Sequence, residues 1–135
     1  MSIGLGRALD FHSERLDDLV VGALLHDIGK IGTPEHILRK EGRLEPEERR
    51  IIMQHSQVGY NILSGVHRLE KVILEAVLLH HERPDGAGYP RGLKGDQIPP
   101  LARILGMADA FDAMTSNRPY RPMLPLDRVR REIER

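Results

Sequence analysis

The sequence predicts an all-α bundle of about five to six helices, and three observations carry that prediction. Apolar residues recur three and four positions apart in one segment after another, as they do on one face of a helix. Helix-start signals at Ser13, Thr33-Pro34, Glu45-Pro46 and Pro99-Pro100 precede those segments. The period-two alternation of β-branched residues that marks a half-buried strand is absent. A chain of 135 residues is long enough to bury a core as a single domain, taken as 1–135.

In chain order, residues 1–12 are glycine-rich and weakly patterned. Ser13 is the predicted N-cap of a helix whose stripe runs through Leu16, Leu19, Val20, Ala23, Leu24 and Asp27, with Gly29 as its stop. Thr33-Pro34 opens a short helix to about Leu38. Glu45-Pro46-Glu47-Glu48 opens another, with acids in the first turn where the helix dipole favours them. That helix carries Ile51, Ile52 and His55, and Ser56 can cap another turn or a continuation through Val58, Ile62 and Leu63. A helix from about Arg68 to Glu82 buries Leu69, Ile73, Ala76, Val77 and His80. A long loop containing Pro84-Asp85-Gly86 and Gly88-Tyr89-Pro90 follows, and structureless loops of that length usually serve function. The next helix aligns Leu101, Ile104, Leu105, Ala108, Asp109 and Asp112. Asn117 to Pro122 form a basic, proline-stiffened loop, and a last helix begins near Leu126.

Composition narrows the chemistry. Lys plus Arg and Asp plus Glu stand at 20 each, so no bulk charge points to a DNA or RNA polymer or to an anionic membrane. The longest apolar run, Leu19 to Leu25, is too short for a bilayer. Cysteine is absent, which removes thiolate metal sites and cysteine nucleophiles and fits a cytoplasmic protein. Any metal must then be held by imidazole and carboxylate, a set suited to iron, manganese or zinc.

Helix after helix ends its apolar stripe in such a group: His26 and Asp27, His55, His80 and His81, and Asp109. One buried polar residue at a helix end is ordinarily a satisfied core residue. Six of them ask for a common partner. A carboxylate such as Asp27 has two oxygens and can bridge two cations, which together polarise a phosphate and ionise a shared water. His12, His36 and His67 lie in polar surroundings and read as surface residues. Arg118 and Arg121, pinned by Pro119 and Pro122, read as a phosphate-binding pair, because guanidinium forks match phosphate.

The blocks His26-Asp27-Ile28-Gly29-Lys30, His80-His81-Glu82 with Asp85-Gly86 and Gly88-Tyr89-Pro90, Asp109-Ala110-Phe111-Asp112-Ala113, and Asn117 to Arg121 resemble the HD-GYP branch of the HD-domain phosphohydrolases, over roughly residues 19–130. The resemblance implies an HD-domain helical bundle with a long GYP loop that hydrolyses cyclic di-GMP to pGpG or GMP. It implies a two- or three-metal site of iron or manganese with His26, Asp27, His55, His80, His81 and Asp109 as ligands. Asp27 would be the bridge. Lys30 would face a phosphate and assist the leaving oxygen, and Tyr89, Arg118 and Arg121 would hold guanine and phosphate. A GGDEF-domain protein docked through the GYP loop is the implied protein partner. The alternatives are an HD-type hydrolase of another nucleotide and a non-catalytic HD-GYP docking module.

Family members usually carry one more histidine well ahead of the HD pair, and three-metal members a glutamate one turn before it. His12 and Glu14 lie too close to His26 to be their equivalents. The expectation is a domain without its first helix and its last helices. Its bared face at Leu16, Leu19, Val20 and Ala23 would be covered by a second copy, giving a homo-oligomer.

Overall fold

Three helices supply the core. In the computed structural model, which describes residues 13–116 and 123–133, α1 (Ser13–Leu25), α5 (Lys71–Leu79) and α6 (Pro100–Thr115) meet along Leu19, Ala76, Leu101, Ile104 and Leu105. All five side chains are buried, Leu19 and Ala76 completely, so the face expected to be bared at Leu19 and Ala23 is covered within the chain by α5 and α6. Each large one contributes on the order of 1.5–3 kcal/mol by leaving water. The shorter helices are α2 (Glu35–Leu38), α3 (Pro46–Met53), α4 (His55–Leu63) and α7 (Leu126–Ile133), with single 3-10 turns at Ile28–Gly32 and Gly95–Gln97. No strand occurs among the described residues, only an isolated bridge between Asp85 and Lys94. The all-α expectation holds. No described helix is long and apolar enough to cross a membrane.

The predicted stripes are largely the buried ones. On α5, Ile73, Ala76 and Val77 are at most 4% exposed, and His80 follows them at the helix end. Leu78 and Leu79 are buried as well, packing with Ile98 and Ala102, so this helix is apolar nearly all round and sits centrally. α7 seals the far end of α6 with Val129.

Several boundaries differ, for local reasons. α5 begins at Lys71, not Arg68, because Arg68 takes a left-handed backbone conformation with φ of 72°. It ends at Leu79, leaving His80 as C-cap and His81 beyond the helix. The run from Pro46 to Leu63 breaks at Gln54, so a new helix opens at His55, one residue ahead of the cap expected at Ser56. α3 starts where predicted, and the Glu48 carboxylate accepts the Glu45 backbone N–H at 2.7 Å. α1 stops at Leu25, four residues before Gly29, so Leu24 falls off the buried stripe and is 78% exposed.

Two glycines let backbone approach backbone where larger residues could not. A Cβ on Gly29 would collide with the His55 carbonyl oxygen, and one on Gly106 with the His80 carbonyl oxygen. Gly29 therefore serves the packing of the 3-10 turn on α4 rather than the termination of α1. Through these contacts the turn after α1, the start of α4 and the end of α5 are drawn to one point.

Candidate metal centre

Five of the six candidate side chains of that point sit at or just past a helix end, and Asp109 sits within a helix. His26 and Asp27 occupy the turn leaving α1, His55 the first position of α4, His80 and His81 the exit of α5, and Asp109 the third turn of α6. Helix ends bring side chains together without forcing any helix to break its own ladder. His55 and His80 are 1% and 2% exposed. The other four are half-buried.

Three of the imidazoles are oriented in the same way. The Nδ1 of His26 contacts the Ala23 carbonyl at 2.8 Å, that of His55 the Ile52 carbonyl at 2.7 Å, and that of His80 the Val77 carbonyl at 2.7 Å. A carbonyl only accepts, so each Nδ1 carries a proton, and in the neutral His55 and His80 the Nε2 presents a lone pair. Those of His55 and His80 converge with a His81 nitrogen. Nitrogen atoms of His55, His80 and His81 lie within 4.8 Å of one another, and the Nε2 atoms of His55 and His81 are 3.2 Å apart. His80 Nε2 is buried with no hydrogen-bond partner. A buried acceptor without a donor is costly, and a cation is the partner that relieves several lone pairs at once.

Asp27 stands between two groups. Its Oδ1 lies 3.5 Å from His55 Nε2, while its Oδ2 lies 3.4 Å from His26 Nε2 and 2.5 Å from Lys30 Nζ. His26 Nε2 is in turn 3.8 Å from Asp109 Oδ1, an ionic contact rather than a hydrogen bond. One carboxylate thus touches a His26–Asp109 set with one oxygen and a His55–His80–His81 set with the other. His55, His80 and His81 can hold a metal ion.

Protonation follows the same division. Burial, reinforced by the neighbouring imidazole, pushes His80 down to about 3 and His81 to about 4, and burial lowers His55 as well. These three are neutral at physiological pH, the form that binds metal. The Asp109 carboxylate raises His26, and His26 in return holds Asp109 down to about 2. Burial opposes ionisation of Asp27, but Lys30, His26 and His55 outweigh it and the carboxyl lies below its usual range.

The loop after His81 folds back over the centre. Tyr89 stacks on His81 with ring centroids 4.7 Å apart and planes 26° from parallel, and its backbone N–H reaches the His81 carbonyl at 3.2 Å. The Tyr89–Pro90 peptide is cis. Sequence reasoning gave no role to Glu82. Its carboxylate is buried and accepts the N–H of Arg91 at 2.6 Å and of Leu93 at 2.8 Å, tying the far arm of the loop to the end of α5. A charged residue directly after a buried stripe was the available signal. His36 and His67 are exposed and take no part. Arg118, Arg121 and His12 lie outside the described residues.

A helical bundle closing on imidazoles and carboxylates defines a class of metal-site proteins, and comparison with known proteins makes it specific. A profile of the HD domain matches residues 2–130, and the chain belongs to the HD-domain family, whose hydrolases depend on metal ions. It is 51% identical over 118 residues to the cyclic di-GMP phosphodiesterase of Thermotoga maritima, covering 87% of this chain and 32% of that protein. It is 43% identical over 107 residues to the 3'3'-cGAMP-specific phosphodiesterase 3 of Vibrio cholerae, covering 79% of this chain and 23% of that one. Among solved structures, the HDG"Y"P protein Bd1817 from Bdellovibrio bacteriovorus superposes with a TM-score of 0.73 at 26% identity, over 84% of this chain and 37% of that one. The chain spans about a third of the length of the first of these relatives.

Proposed function

We propose that this chain carries a metal-dependent phosphodiesterase site for cyclic di-GMP. The observation that carries the reading is His80 Nε2, buried and unpartnered where the His55 and His81 nitrogens converge. In this reading His26, Asp27 and Asp109 hold one divalent ion, and Asp27, His55, His80 and His81 hold a second. Iron or manganese suits the donor set, with a third ion as an extension. Bound metal would polarise the phosphodiester and supply a hydroxide at neutral pH.

The protein's own groups do the rest. Asp27 spans the two positions with its two oxygens. Lys30, which pairs with Asp27 Oδ2, would neutralise charge on the leaving oxygen. Tyr89 lays its ring beside the centre and offers a surface for a base. Arg118 and Arg121 take phosphate oxygens by forked contacts. A related cyclic dinucleotide is the second reading, favoured by the likeness to a 3'3'-cGAMP-specific enzyme. Pairing with a GGDEF-domain protein through the Gly88-Tyr89-Pro90 loop, self-association and a cytoplasmic setting complete the proposal.

Elemental analysis combined with a cyclic di-GMP hydrolysis assay tests it. Bound iron or manganese with conversion to pGpG or GMP is expected. Metal-loaded protein that leaves cyclic di-GMP intact would remove the catalytic reading and leave a docking role.

A further inference from the structure

Tyr89, whose ring stacks on His81, also lines a separate cavity of about 430 Å³ with Arg43, Leu44, Arg49, Ile52 and Met53. That volume is near the lower end for small-molecule sites and adjoins the metal centre through a shared residue. Leu44, Ile52, Met53 and the tyrosine ring give it apolar walls, and Arg43 and Arg49 give it two cations. Neighbouring cations are already engaged: Arg39 pairs with Glu35, Lys40 with Glu48 and Arg50 with Glu47. Arg43 and Arg49 take part in no ion pair among the described residues. Apolar walls with an aromatic face and two available guanidiniums fit a flat, π-rich group that carries hydrogen-bond acceptors.

A purine is such a group, and the two purines differ where an arginine reads them. Guanine offers O6 and N7 as adjacent acceptors that match a guanidinium fork, whereas adenine replaces O6 with an amino donor that faces the arginine with like polarity. We infer that this cavity takes the second nucleobase of a cyclic dinucleotide whose phosphodiester lies at the metal centre, and that Arg43 and Arg49 make it select guanine over adenine. The inference rests on the phosphodiesterase reading and deepens it from a reaction to a base preference. It also separates the two kinds of relative: an all-guanine substrate satisfies the cavity in either orientation, and a mixed guanine–adenine substrate in one only.

The test compares kcat/KM for cyclic di-GMP and cyclic di-AMP in manganese-loaded protein, for the wild type and for the Arg43→Gln/Arg49→Gln double variant. Both arginines are exposed, so the variant is expected to fold. The wild type should favour cyclic di-GMP, and the variant should lose about tenfold or more of that preference, the value of a forked base contact. An Arg49→Lys variant should lose most of the preference that Arg49 supplies, because lysine keeps the charge without the fork. If the wild type cleaves cyclic di-GMP but the double variant keeps the same preference, the base-reading inference is overturned and the phosphodiesterase reading survives. An equal loss for both dinucleotides overturns it too, since the arginines would then be holding phosphate. A wild type that cleaves neither dinucleotide removes the phosphodiesterase reading and this inference with it.

Discussion

At the residue scale, protonation and charge decide what the cluster can hold. His80 and His81 titrate at about 3 and 4, well below an ordinary imidazole, and His55 is lowered as well. A histidine with a depressed folded pKa contributes stability above its unfolded pKa and loses it as pH falls, because only the unfolded chain then takes up the proton. His26 is shifted the other way and partly compensates. Three groups against one give a net loss on acidification. His80 alone is expected to cost about 2 kcal/mol between pH 7 and pH 5. The thermal midpoint of metal-free protein, measured across that range, should therefore fall; a midpoint that is flat or rises would mean that the imidazoles are charged in the folded state. Asp27 governs charge in the other sense. The Asp27→Asn variant keeps the shape but loses the anion between the two histidine sets. Hydrolysis should drop about a hundredfold or more and metal content should fall, with the circular dichroism of the helices unchanged. Retention of most metal and most activity would place the bridge elsewhere.

At the element scale, the stripes were legible in the sequence and the joints were not. Ile73, Ala76, Val77 and His80 follow the helical period, and the structure buries all four. Leu24 follows the same period and is exposed, because the helix ends one residue later and the turn carries His26 and Asp27 away from the stripe. Periodicity cannot reveal such an ending. Gly29 read as a helix stop, but its purpose lies in a contact with His55 that is distant in sequence. Glu82 shows the same limit: its partners, Arg91 and Leu93, are nine and eleven residues on, across a loop of no regular period. Replacing Glu82 by Ala leaves two backbone N–H groups without their acceptor, a cost of about 1–3 kcal/mol for each one that stays buried. The expected result is a loosened loop, read as faster amide exchange at Arg91 and Leu93 and a raised KM, with metal content retained. Unchanged exchange at both amides would show that the carboxylate does not hold the loop.

At the scale of the whole molecule, the bundle is a device for bringing three helix ends and one helix face to one place. Gly29 and Gly106 set the backbone spacing, the central α5 delivers two imidazoles, and α6 adds Asp109 beside His26. Of the six metal-type groups expected from the sequence, His55, His80 and His81 converge. Asp27 joins them to His26 by contacts of 3.4 and 3.5 Å, and Asp109 reaches His26 at 3.8 Å from within its helix. The cavity beside Tyr89 was not foreseeable, since Arg43 and Arg49 lie in a turn and on the exposed side of a short helix with no spacing that marks them. The central claim is that the buried imidazoles converge on metal. Anomalous scattering from crystals of the metal-loaded protein, collected on either side of the iron and manganese absorption edges, tests it most directly. An anomalous peak about 2.0–2.3 Å from His80 Nε2, with His55 and His81 on its other sides, is the predicted result. Fully loaded protein in which His80 Nε2 faces no metal would contradict it.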